Sequence, residues 1–147
     1  KIMRTRLEKY NKVMEFETDL SKEQAVPFEV VIFYLRKNLI NIIKTKNYSF
    51  TLFLPLLALE LEDKGMPRSM SMIRMVAELK DKIGLDTPLG QMEVHKIMIF
   101  PQSGILRALL PREKTHFEFT FSVDAPHHLL EFEVGETRHI LTKLNIK

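Results

Sequence analysis

The chain has 147 residues, 45% of them hydrophobic and 28% charged, with no cysteine and a net charge of +3. This length and apolar content suit a single globular domain over 1–147 with a buried core, and the lack of cysteine excludes disulfides, thiolate metal sites and a cysteine nucleophile. No apolar run reaches the roughly 18 residues that a membrane span needs, and the nearest, 50–59, is broken by Pro55. The sequence therefore reads as that of a soluble, intracellular protein, cytoplasmic by default, and its opening at Lys1 rather than Met fits a piece of a longer chain. The positive charge is uneven: residues 1–48 carry ten Lys/Arg against six Asp/Glu, whereas 91–147 carry seven of each.

Met3, Leu7, Tyr10 and Met14 are spaced 4, 3 and 4, which predicts an amphipathic helix with a narrow apolar stripe flanked by Arg4, Arg6, Lys9 and Lys12. A second helix is expected from about Pro27, with the proline at its first position and Phe28, Ile32, Leu35, Leu39, Ile42 and Ile43 facing the core. Arg36, Lys37, Asn41 and Lys44 then fall on its outer side, where a basic end complements the helix dipole. The stretch SFTLFLPLLALELEDKG predicts a third, core helix that Pro55 starts or kinks and that ends before Gly65. MPRSMSMIRMVAELKDKIG predicts a fourth, capped by Ser69 or Ser71, with Met72, Met75, Val76, Leu79 and Ile83 as its stripe and Gly84 as its stop.

After the turn-like GLDTPLGQ the pattern changes. EVHKIMIF reads as a strand ended by Pro101, SGILRALL reads equally as helix or strand, and RHILTKLNIK reads as a last strand. Between them, Phe117, Phe119, Phe121 and Val123 alternate with Glu118, Thr120 and Ser122, and Leu130, Phe132 and Val134 alternate with Glu131 and Glu133. With a loop at residues 124–127, Phe119 would face Phe132 and Phe121 would face Leu130, the register that a buried face selects. The fold class expected is thus α+β: an N-terminal helical part of about four helices over 1–84, followed by a mainly β region over 92–147 with an antiparallel sheet.

That register sets Glu118 against Glu133, an unfavourable like-charge pair, with Glu131 opposite Thr120. A tight turn at Gly135-Glu136 would bring Arg138 opposite Glu133 and neutralise it, while a paired-carboxylate acid–base site is the catalytic alternative. His127 and His128 are adjacent and would point to opposite faces of a strand, so they do not form a metal site together. No phosphate-binding glycine loop, HExxH or GxSxG is present, and no catalytic residue, metal site, cofactor or small-molecule substrate is assigned.

The function expected is a non-catalytic protein-interaction or self-assembly domain. Its partner is another protein or a second copy, met by Met3, Leu7, Tyr10, Met14, Met70 and Met72. The alternative is an electrostatic binder of RNA or of an anionic membrane surface, using Arg4, Arg6, Lys9, Lys12, Arg36, Lys37 and Lys44, with Tyr10, Tyr34 and Tyr48 for stacking. A second alternative is a hydrolase-type enzyme built on Glu118, Glu131 and Glu133.

Overall fold

A computed structural model describes residues 2–9, 12–19, 21, 24–45, 47–134 and 137–142. Strands dominate it. The chain opens with β1 (Ile2–Lys9) and β2 (Lys12–Asp19), continues through β3 (Val26–Pro27), α1 (Val31–Lys44), β4 (Tyr48–Phe53) and α2 (Pro55–Asp63), and then runs as β5 (Met72–Thr87) and β6 (Gly90–Pro101). Two short helices, α3 (Gly104–Leu109) and α4 (Arg112–Thr115), precede β7 (Phe117–Ser122), β8 (Leu129–Val134) and β9 (Thr137–Ile140). Strands β3 to β9 follow one another in sequence order in a seven-stranded sheet, and β1 and β2 form a separate two-stranded one.

The N-terminal part of four helices is therefore corrected: α1 forms from Val31 rather than from Pro27, the third expected helix forms only from Pro55 as α2 while residues 49–53 lie in β4, and the first and fourth expected helices are strands. For the first, β1 and β2 pair antiparallel with Leu7 opposite Met14, Thr5 opposite Phe16 and Arg4 opposite Glu17. The 4, 3, 4 spacing that suggests one helical stripe also places Met3, Leu7 and Met14 at register positions of one parity in a hairpin. The hairpin adds opposite charges across the ladder, with Arg4 Nε 2.7 Å from Glu17 Oε1. The fourth expected helix is β5, whose Met75, Val76 and Ala77 are buried in succession. Such a run buries both faces of a strand, and antiparallel pairing with β6 overrides the helix propensity of its Met, Ala, Glu and Lys residues. Gly84 lies within β5 and ends nothing; the turn comes at Thr87↔Gly90, where Gly90 has φ +105°.

The chain divides into two compact units, residues 1–31 with 50–73 and residues 32–49 with 74–147. In the first, β3 runs parallel to the end of β4, and Pro55 starts α2 at its first turn. Gly65, at φ +71°, closes α2, as its N–H and that of Met66 donate to Glu62 O and Leu61 O. Ala25, Phe53, Ala58 and Leu59 form a buried cluster with Met72 against it.

In the second unit, Leu35, Leu39 and Ile42 of α1 are buried, as are Met75, Val94, Ile97, Ile99, Phe117, Phe119 and Phe121 of the sheet. From β5 to β9, each strand pairs antiparallel with the next. Phe119 faces Phe132 as expected, their rings 6.2 Å apart, and His139 of β9 stacks on Phe132 at 4.3 Å. Phe121 instead faces Leu129, because Leu130 is an extra, buried residue where the β7–β8 register shifts. Among the described residues no helix is long and apolar enough to cross a membrane.

Phe119 sits in the middle strand of the β6–β7–β8 ladder with its side chain wholly buried, so we predict that Phe119→Ala costs about 3–5 kcal/mol of stability. Urea denaturation measures it, and a loss below about 1 kcal/mol would show that this face is not the core.

Candidate functional site

Alternation along β7 sends its phenylalanines to one face and Glu118 to the other, where Glu118 faces Glu133 and Glu133 faces Arg138. Each carboxylate of the group meets a cation. Arg138 Nε and Nη2 donate to Glu131 Oε1 and Oε2 at 2.5 and 2.9 Å, and Nε lies 3.7 Å from Glu133. Glu118 accepts from Lys96 Nζ at 3.0 Å and from Lys80 Nζ at 3.5 Å. Lys80 is the extra residue where the β5–β6 register shifts between Leu79 and Asp81, so the bulge adds a cation beside Glu118. The neutralising role expected of Arg138 is seen, but Arg138 bonds chiefly to Glu131, which is 6% exposed. Glu131 first, then Glu133, raises the pKa of the Arg138 guanidinium. The turn expected at Gly135-Glu136 falls outside the described residues.

Beside this ladder is an open cleft of about 350 Å³, to which Arg112, Glu113, His116, Glu118 and Glu133 contribute. His116 stacks on Phe100 with 6.2 Å between ring centroids, and Arg107 lies over the same phenylalanine at 5.4 Å. Burial, then Arg112 and Arg107, push the His116 imidazole below its usual pKa, favouring a neutral ring. A neutral imidazole near two carboxylates has the elements of proton transfer. Glu118, however, is tied to two lysines, and among the described residues no group of three or more His, Asp or Glu side chains could hold a metal.

A second imidazole is buried more deeply. His95 on β6 is 8% exposed, and its Nδ1 has no hydrogen-bond partner among the described residues. Burial lowers its pKa, and Lys82 and His127 add to the effect while Glu93 opposes it. His127 sits in the β7–β8 loop at φ +56°, and its Nδ1 is 3.1 Å from Ser122 O. The same loop is held by Ser122 Oγ, which accepts from His128 N–H, and by Arg36 Nε, which donates to Pro126 O.

The partner-binding residues expected from sequence are not brought into one helical face. Met3, Leu7 and Met14 lie on β1 and β2, and Tyr10 falls outside the described residues. Met70 is exposed in a 3-10 turn, and Met72 is half-buried against the core cluster of its unit. The cations expected to bind RNA or membrane are divided: Arg4, Arg6, Lys9 and Lys12 belong to the first unit's strands, and Arg36, Lys37 and Lys44 to α1 in the second. Tyr34 and Tyr48 are half-buried with hydroxyls 3.2 Å apart, an arrangement that engages their polar ends with each other. Burial, then the Tyr48 hydroxyl, raises the Tyr34 pKa.

What the sequence reading missed is apolar surface. Phe33 and Ile40 on α1 are 68% and 58% exposed, and Ile105 and Leu109 on α3 are 71% and 73% exposed. The signal was present: Phe33, Lys37, Ile40 and Lys44 are spaced 4, 3 and 4 on the side of α1 away from Leu35, Leu39 and Ile42.

No family model, no curated protein and no solved structure matches the chain.

Two outcomes follow from the titrating and paired groups. The folded-state pKa values of His95 and His116 lie below the ordinary 6.5, so the unfolded chain binds more protons below that pH. We predict full stability above about pH 6.5 and a loss as pH falls below it. His95→Phe should lessen the drop in Tm between pH 7.5 and 5, whereas an unchanged drop would assign it to other groups. Arg138→Met leaves the buried Glu131 carboxylate without its cation and should lower the urea midpoint, and Glu131→Gln in the same background should recover part of the loss; an unchanged midpoint would show that the pair does not hold the fold.

Proposed function

We propose that the chain is a non-catalytic protein-interaction or assembly domain. The observation that supports this most directly is the presence of two pairs of large apolar side chains more than half exposed: Phe33 with Ile40 on α1, and Ile105 with Leu109 on α3. Apolar residues scattered singly over a surface need no explanation, but these come in pairs at i, i+7 and i, i+4, so each pair lines one side of its helix. Covering them removes apolar area from water, the main driving force of protein association. Both helices sit on a framework whose own core is complete, since α1 buries Leu35, Leu39 and Ile42 independently of its outer side.

The charged cleft is better accounted for as part of the framework. The cation partners of Glu118, Glu131 and Glu133 answer the repulsion that their register creates, and this needs no substrate. The absence of cysteine supports an intracellular, reducing setting.

The test replaces Phe33, Ile40, Ile105 and Leu109 together with serine and compares solution mass by light scattering at two protein concentrations, in low and high salt. A wild-type oligomer that resists salt and is lost in a folded variant supports assembly. For a foreign partner, the same variant must lose its capture of one defined protein. Association undiminished in the variant would sink the proposal.

A further inference from the structure

The outer side of α1 alternates apolar and basic residues along one line: Phe33, Lys37, Ile40 and Lys44, all exposed. At about 100° per residue the four lie within roughly 60° of arc and span about 16 Å of axis. The buried Leu35, Leu39 and Ile42 lie on the opposite side. Between Val31 and Lys44 there is no Asp or Glu, and Arg36 adds a third cation, its Nε donating to Pro126 O. The stripe is thus a narrow apolar seam whose own helix supplies cations and no carboxylate.

We propose that this stripe docks an acidic amphipathic helix of a partner protein. The inference rests on the interaction reading above and names the partner's chemistry. A helix lying along α1 with apolar residues at 3–4 spacing would pack against Phe33 and Ile40. Lys37 and Lys44 are seven residues apart, two turns, so flanking Asp or Glu residues seven apart on the partner would meet both. A second copy of the chain fits this stripe poorly. Two α1 helices packed seam to seam would gather four lysines and no carboxylate of their own, and like charges facing each other oppose the pairing. A membrane surface fits less well too, because two apolar side chains separated by two turns, with a lysine between them, make no continuous apolar face to insert.

The intact 147-residue chain is titrated by fluorescence anisotropy with a synthetic 18-residue helical peptide carrying leucines at 3–4 spacing flanked by glutamates. The same peptide with lysines in place of the glutamates is the control. Vesicles of phosphatidylcholine with one-third phosphatidylserine and a concentration series of the protein alone are run in parallel. The glutamate peptide is expected to bind and to shift the amide resonances of Phe33, Lys37, Ile40 and Lys44. Lys37→Glu with Lys44→Glu should weaken it about five- to tenfold and let the lysine peptide bind in its place, with an unchanged circular dichroism spectrum. Ile40→Ser, which leaves the charge intact, should weaken both pairings.

Equal binding of the two peptides, or no binding of either, overturns the acidic-helix proposal. Vesicle binding or dimerisation that Ile40→Ser abolishes also overturns it, but leaves the interaction reading standing with another occupant. That reading fails separately, if the four-serine variant keeps all its association.

Discussion

Burying Phe117, Phe119 and Phe121 on one side of β7 forces Glu118 onto the other, and the pairing of β7 with β8 then sets Glu118 against Glu133. Much of the second unit's polar architecture answers that constraint. Arg138 arrives on β9 opposite Glu133 and binds Glu131, Lys96 reaches Glu118 from β6, and the irregularity in β5 adds Lys80 as an extra residue beside it. A one-residue slip of β7 would relieve the charge opposition only by moving all three phenylalanines to the wrong face, which costs far more than placing cations nearby. The register is therefore fixed by the apolar face, and the charged face conforms to it.

The same logic separates the charged cleft from the apolar seams. His116, Glu118 and Glu133 stand together because of strand alternation and the α3–α4 segment between β6 and β7, and the cations that meet the two glutamates lie within the sheet. The outer side of α1 is different: Phe33 and Ile40 are exposed although the helix has already buried another face. These large apolar side chains left in water at helical spacing are what the proposed interaction rests on, and the lysines between them set the charge that the proposed partner would meet.

His95 is a different kind of constraint. A buried imidazole whose Nδ1 lacks a hydrogen bond among the described residues is tolerated when neutral and opposed when charged, and Lys82 and His127 reinforce this. It makes the β5–β6–β7 region a place where acid acts on the fold.

Several elements were legible in the residues. Gly65 marks the end of α2, Leu35, Leu39 and Ile42 mark the inner side of α1, and alternation marks β7 and β8 with Glu118 against Glu133. In each case the backbone conformation is imposed by the residue itself or by a period within one element. The regions 2–19 and 72–87 were not legible in this way. The spacing of Met3, Leu7 and Met14 is satisfied by one side of a helix and equally by one side of a hairpin in which Leu7 pairs with Met14, and the residues of β5 favour helix when considered alone. The pairing of Arg4 with Glu17 and of Leu79 with Ile97 decided both segments, and such contacts between residues distant in sequence exist only once the chain has folded.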